Sequence, residues 1–285
     1  MTLSIRMGRA DDARECGRIC YAAFTAVASA HNFKPDFPTA DICTDIVGMM
    51  LDHPGYQGIV AQINDKIVGS NFLDETNSIA GIGPVTVDHV IQDRGVGGRL
   101  MRAVMEHAAS QHAAGVRLVQ AGYHSRSLAL YSKLGFDGRE HLCCVQRPAI
   151  RQAAEGYGVR DAGAADVAAF NALCERVHGT RRDGEVRDTV QHGVARVVER
   201  GGRVSGYTTG VAFFGHSSGE TTNDLAALIG TAESFAGPGF LLPSRNGRLL
   251  RWCLIKGLRI TQSMTLMTIG LYNEPVGAYL PSVSY

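Results

Sequence analysis

The chain has 285 residues, 45% hydrophobic and 19% charged, which is material for two ordinary cores and excludes a disordered or membrane-embedded chain. Its 28 basic side chains nearly cancel 27 acidic ones, for a net charge of +1, so the basic excess of a nucleic-acid binder is absent. Seven cysteines, at 16, 20, 43, 143, 144, 174 and 253, are odd in number and fit no zinc spacing, and no run reaches the ~20 apolar residues that cross a bilayer.

In chain order, "LSIRM" reads as a short strand, followed by a helix from about Ala10 with Asp11 and Asp12 in its first turn, where carboxylates oppose the helix dipole. Residues 56–75 form a hairpin around Asn64 and Asp65, and "SIAGIGPVTVDHVI" is one further strand through Val90 and Ile91, with a break suggested at Gly83 and Pro84. Apolar residues at 96, 100, 101, 104, 105 and 108 share one helical face. "VRLVQAGY" is a strand, "RSLALYSKL" a helix stopped by Gly135, and "EHLCCVQ" a strand on which Cys143 and Cys144 point to opposite faces. The layout is α/β around one mixed sheet.

Residues 157–179 repeat the opening, with Arg160 standing for Arg6, Ala164 for Ala10 and Asp166 for Asp12. Two related domains, 1–147 and 157–285, are therefore expected, joined near 148–156. The second continues with a hairpin over 194–215, helices at 223–236 and 247–258, and strands at 239–244, 263–270 and 277–285. Arg181, Arg182 and Asp183 read as a solvated loop.

Between strand and helix lies "QDRGVGGRL". Glycines at a helix start let a ligand approach unpaired N–H groups, a seat for a diphosphate. The Walker pattern is missing its Lys-Ser/Thr, and Gly95, Gly97 and Gly98 do not make the dinucleotide fingerprint. What they complete is Gln/Arg-x-x-Gly-x-Gly/Ala, through Gln92, Gly95 and Gly97. About forty residues on comes Tyr131-x-x-x-Gly135-Phe136. In these motifs the chain resembles the GNAT superfamily of acyl-CoA-dependent N-acetyltransferases, over about residues 3–146.

The resemblance implies two GNAT-like domains, each a mixed, mostly antiparallel twisted sheet flanked by helices (α/β, or α+β in some schemes). It implies acetyl-CoA as cosubstrate, without a metal. The implied cofactor contacts are Val85, Val87, Asp88, His89, Gln92, Arg94, Gly95, Val96, Gly97, Gly98, Arg99, Leu100, His124, Ser127 and Tyr131. His124 stands where the family usually carries asparagine. Tyr131 is the implied general acid. Some relatives hold a glutamate where Gly81 stands here, so the base must come from elsewhere. Asp74, His31 and His89 are options, and Glu75 is the candidate named for test. The second domain aligns Cys253 with Tyr131 and Gly257 with Gly135, and has no glycine turn, so it reads as degenerate. Its final segment, with Tyr272, Asn273, Glu274, Tyr279 and Tyr285, either forms plain strands and a loop, or borders the acceptor site or pairs the domains through a shared sheet.

The expected activity is acetyl transfer to a small-molecule or protein amine. A non-catalytic acyl-CoA sensor and a general nucleotide binder are the rival readings. The opening residues have no apolar leader, and with reduced thiols this places the expectation in the cytoplasm, away from membrane and nucleic acid. A homodimer, the commonest closed assembly, is the default expectation.

Overall fold

The computed structural model describes residues 2–92 and 94–285. Strand β1 (Leu3–Met7) leads through a 3-10 turn (Ala10–Asp12) into helix α1 (Ala13–Ala30). Arg6 reaches forward to both Asp12 oxygens at 2.7 and 2.8 Å, and Asp12 also accepts the Arg9 N–H. This bidentate, charge-assisted clasp fixes how the helix leaves the strand. α1 buries Cys16, Ile19, Cys20 and Ala23, a single apolar stripe at helical spacing. Helix α2 (Ala40–Asp52), capped by the Thr39 hydroxyl, crosses α1 at Gly17. A Cβ there would lie 2.5 Å from the Thr44 backbone, so only glycine allows the close crossing.

β2 (Tyr56–Ile63) and β3 (Lys66–Asp74) form the expected hairpin. The single strand expected over 78–91 is divided instead into β4 (Ile79–Ile82), β5 (Thr86–Val87) and a 3-10 turn (His89–Ile91). The break falls at Gly83 and Pro84. Leu73 pairs with Ile82 and Ser70 with Thr86, so residues 83–85 bulge opposite 71 and 72. Asp88 then accepts the Val90 N–H at 3.0 Å and turns the chain before the strand can continue. α3 (Val96–Ser110), β6 (Gly115–Ala121), α4 (Ser125–Lys133) and β7 (Asp137–Gln146) follow where periodicity put them.

The second half opens as the first did. β8 (Gly158–Asp161) passes through a 3-10 turn (Ala164–Asp166) into α5 (Val167–His178). Arg160 clasps Asp166 with two bonds of 2.9 Å, and Asp166 accepts the Gly163 N–H. This is the Arg6–Asp12 device repeated, at the positions the sequence repeat indicated. There follow α6 (Asp183–Gln191), β9 (Arg196–Arg200), β10 (Arg203–Thr208), β11 (Ser217–Gly219), α7 (Thr222–Thr231), β12 (Phe240–Pro243), α8 (Gly247–Ile255), β13 (Arg259–Gly270) and β14 (Ala278–Leu280). The loop expected at 181–183 is corrected at Arg182, which is 4% exposed. Its guanidinium pairs with Glu185 and lies over the Tyr285 ring, 4.8 Å from its centroid.

The larger sheet runs β1-β2-β3-β4-β6-β13-β7-β12, with β5 beside β3, and the smaller runs β14-β11-β10-β9-β8. Among the described residues the β4–β6 pair is parallel and the other pairs antiparallel. Two strands of the second half thus complete the sheet of the first. β13 inserts between β6 and β7, and β12 closes the edge beyond β7. Both faces of β7 are covered in consequence: Cys143 packs with Leu228 and Leu249, and Cys144 with Phe213 and Met264. All seven cysteines are buried and unpaired. Among the described residues no helix is long and apolar enough to cross a membrane.

Candidate active site

Ile79, Ala80 and Gly81 run parallel to Gly115, Val116 and Arg117. Beyond that point the two chains part: β5 swings to β3, while residues 118–121 continue along β13. The resulting wedge opens into a cavity of about 570 Å³, walled by residues 82–85 and 87 on one side and 118–121 on the other. The bulge forced by Gly83 and Pro84 is what splays the sheet.

The glycine turn lies on this cavity. Gly95 has φ +75°, a left-handed conformation that favours glycine, and the helix's first ladder bond here runs from Arg99 N to Gly95 O at 3.1 Å. The amides of Val96, Gly97 and Gly98 therefore stand ahead of that bond and face out of the helix end, with the positive end of its dipole behind them. Gly95 through Gly98 all line the cavity, as do Gln92, Val85 and Val87. A Cβ on Gly95 would meet nothing within 4 Å, and one on Gly97 would first meet Leu130 at 3.6 Å. The amides are thus open to a ligand, and this seat fits a diphosphate. Gln92 ties the turn to β5, its side-chain amide donating to Val87 O at 3.3 Å.

α4 supplies the second wall. Tyr131 is 8% exposed, and burial pushes its phenol up to about 12. Its ring meets Phe136 edge to face, and among the described residues nothing bonds its hydroxyl. Ser127, one turn earlier, lies 3.0 Å from Gln120 Oε1 and 2.9 Å from His124 O. Gln120 Nε2 is buried without a partner among the described residues. His124 lines the cavity, and desolvation, followed by the nearby His31 and Arg126, holds it below the usual imidazole range.

Other expected residues are not brought here. Asp88 spends its carboxylate on Val90 N and on Arg18, and His89 is solvent-facing. Arg94 is exposed off the cavity wall. Arg99 turns its guanidinium to Leu3 O at 3.3 Å, and Leu100 is fully buried in the core beneath the helix. Glu75 lies off the cavity wall and bonds His107 at 3.1 Å near the far end of α3. Asp74 is engaged by Tyr56 and Thr76, and His31 bonds Val27 O.

Sequence reasoning missed Asp36 and Phe37, which join the cavity wall from the α1–α2 connection. Prolines at 35 and 38 mark that stretch as a turn but carry no chemical signal. From the second half come Phe213, Phe214, Met264, Val283 and Ser284. The final segment does border the cavity, through Val283 and Ser284 and not through its tyrosines. Tyr272 and Tyr285 instead sandwich the buried Arg117, at 5.3 and 4.1 Å from their ring centroids.

The second half differs at the corresponding helix start. At the start of α7, Asp224 accepts from both the Thr221 N–H and hydroxyl, at 2.8 and 2.6 Å, so the helix end is capped from within. The end of α8 copies that of α4: Leu258 N bonds Cys253 O at 3.0 Å, as Phe136 N bonds Tyr131 O at 3.0 Å, with Gly257 and Gly135 both at positive φ. Cys253 stands in the place of the tyrosine.

Residues 21–136 match the model of the acetyltransferase (GNAT) family. A proposed acetyltransferase from Pyrococcus horikoshii superposes with a TM-score of 0.73 at 18% identity, covering 97% of this chain and 92% of that one. A GCN5-related N-acetyltransferase from Sphaerobacter thermophilus gives 0.62 at 15%, covering 99% and 98%. A tandem GNAT protein of the clavulanic acid biosynthesis pathway gives 0.56 at 14%, covering 94% and 98%. At these identities the likeness is one of fold, with two GNAT-like halves in one chain. The search of curated proteins returns no match.

Proposed function

We propose that the protein is an N-acetyltransferase of the GNAT type, moving an acetyl group from acetyl-CoA to a primary amine by direct attack; the match of residues 21–136 to the acetyltransferase (GNAT) family model supports this reading. In this reading residues 1–147 carry catalysis and 157–285 form a second GNAT-like unit without a diphosphate seat. The observation that carries it is that the open amides of α3 and the unbonded phenol of Tyr131 share one cavity.

Acetyl-CoA supplies the activated thioester. The amides of Val96, Gly97 and Gly98 hold its diphosphate, backbone on the bulged β4–β5 wall holds the pantetheine arm, and the closed wedge keeps reacting groups together. Burial keeps the Tyr131 phenol protonated at neutral pH, so it is in the donating form when sulfur departs. The C–N bond forms as the C–S bond breaks. Tyr131 gives its proton to sulfur and regains one from the amide nitrogen.

The test is thiol release from acetyl-CoA over a panel of amines, beside calorimetry of CoA uptake. Turnover with at least one amine is expected, and Tyr131→Phe is expected to lower kcat by about 10²–10⁴-fold while leaving CoA affinity unchanged. Uptake without thiol release from any amine would make the protein an acyl-CoA sensor. Affinity for ATP or NAD equal to that for CoA would remove both readings.

A further inference from the structure

Asp36 lines the cavity on the connection between α1 and α2, and among the described residues it is the one carboxylate on that wall. Its surroundings are mostly apolar, with the Cys20 and Cys43 thiols and the Tyr123 phenol among them. Phe24 and Phe37 meet edge to face at 5.2 Å, and Val27, Ile46, Met264 and Phe213 extend the same lining. One carboxylate oxygen accepts from the Gln262 amide at 2.9 Å. That bond comes from β13, so the second half orients the group. The cationic lining residues, Arg126 and Lys133, belong to α4, beside the glycine turn. The cavity therefore divides by element: amides and cations where α3 and α4 begin and run, one carboxylate among aromatic and aliphatic side chains where α1 meets α2.

We propose that the apolar part of this cavity is the acceptor subsite, and that it takes a primary amine carried on an aromatic or branched aliphatic body, with its ammonium on Asp36. This deepens the acetyltransferase reading and rests on it. An ammonium in so apolar a place needs an opposite charge, and a carboxylate held by a single neutral amide has room on its second oxygen. The body of the amine gains from leaving water against Phe24, Phe37 and Ile46. A small polar amine gains the ion pair alone, and a polyamine would have to bury further cations without partners. Before attack the amine must shed a proton, and the same carboxylate can receive it: N–H breaks, O–H forms, and the lone pair remains on nitrogen. Burial already raises the Asp36 carboxyl above its ordinary range, which favours that transfer.

The experiment compares phenethylamine, isoamylamine, ethanolamine and spermidine as acceptors, with 2-phenylethanol as the uncharged isostere of the first. Binding to the full chain is read by equilibrium dialysis or calorimetry, and turnover by thiol release. Phenethylamine and isoamylamine are expected to bind about ten-fold or more tighter than ethanolamine, spermidine or 2-phenylethanol. Asp36→Asn keeps the shape and the Gln262 contact. It is expected to weaken phenethylamine binding by about ten- to hundred-fold, raise its KM and lower kcat, and leave CoA affinity and melting temperature unchanged. Preference for ethanolamine or spermidine in the unaltered protein would overturn the proposal without any variant. So would an Asp36→Asn protein that still prefers phenethylamine to 2-phenylethanol. Absence of CoA uptake would instead strike the acetyltransferase reading itself, so the two failures are distinguishable.

Discussion

Arg6 and Asp12 occupy one turn of chain, and Arg160 and Asp166 occupy its copy. The hydrogen bonds from Arg6 hold the Asp12 carboxyl below its ordinary range, and those from Arg160 do the same for Asp166. A depressed carboxylate stabilises the fold fully above its unfolded value of ~3.9, and that contribution is lost as pH falls through the lower folded value. Side-chain exposure is 26% and 9% in the first pair against 47% and 12% in the second, so solvent screens the second pair more. Asp12→Asn is expected to cost about 1.5–3 kcal/mol at pH 7, and Asp166→Asn less. Urea unfolding at pH 7 and again below pH 3 checks this. The gap between wild type and Asp12→Asn should narrow in acid, and an equal gap at both pH values would mean that the clasp is steric and not ionic.

At the scale of elements, the seat on α3 is a matter of what a glycine leaves empty. Gly97→Val would put γ-carbons beside Leu130 and Val87, whose nearest atoms are 3.6 and 3.8 Å from the new Cβ. The backbone has room for that Cβ, so the protein should fold with a nearly unchanged melting temperature. The added methyls would stand where a diphosphate meets the amides. CoA affinity is expected to fall by about ten- to hundred-fold, the cost of weakened charge-assisted bonds, as read by calorimetry. A variant that binds CoA as wild type does would show that the turn is only a bend. This element was legible in the sequence because its determinants are local: a turn, a helical stripe, and Tyr131 four residues before Gly135. The divided strand was half legible, since Gly83 and Pro84 signal a break but the partner register does not appear in the chain. Asp36 and Arg182 were not legible. What sets each one's surroundings is distant in sequence: Gln262 for Asp36, and Tyr285 for Arg182.

For the whole molecule, the repeat in sequence did not foretell where the repeat's strands would lie. β13 pairs with β6 from Gly115 to Ala121 on one side and with β7 on the other, which makes it interior to the first half's sheet. Residues 118–121, which wall the cavity, are thus held in place by a strand from 259–270. A chain ended at residue 147 would leave β6 and β7 as facing, unpaired edges. It would also uncover Leu142 and Cys144, which are buried in the intact protein in a cluster with Phe213, Leu241 and Met264. Such edges template pairing with other chains, and a gap of one strand cannot be closed without shifting register on both sides. Residues 1–147 alone are therefore expected to aggregate, and to be recovered as a soluble, CoA-binding species when 148–285 is co-expressed as a separate polypeptide. Size-exclusion chromatography with calorimetry on the recovered material decides the matter. A monodisperse 1–147 fragment that binds CoA would mean that the inserted strand is dispensable. The expected outcome would mean that the second half builds the wall against which the first half works.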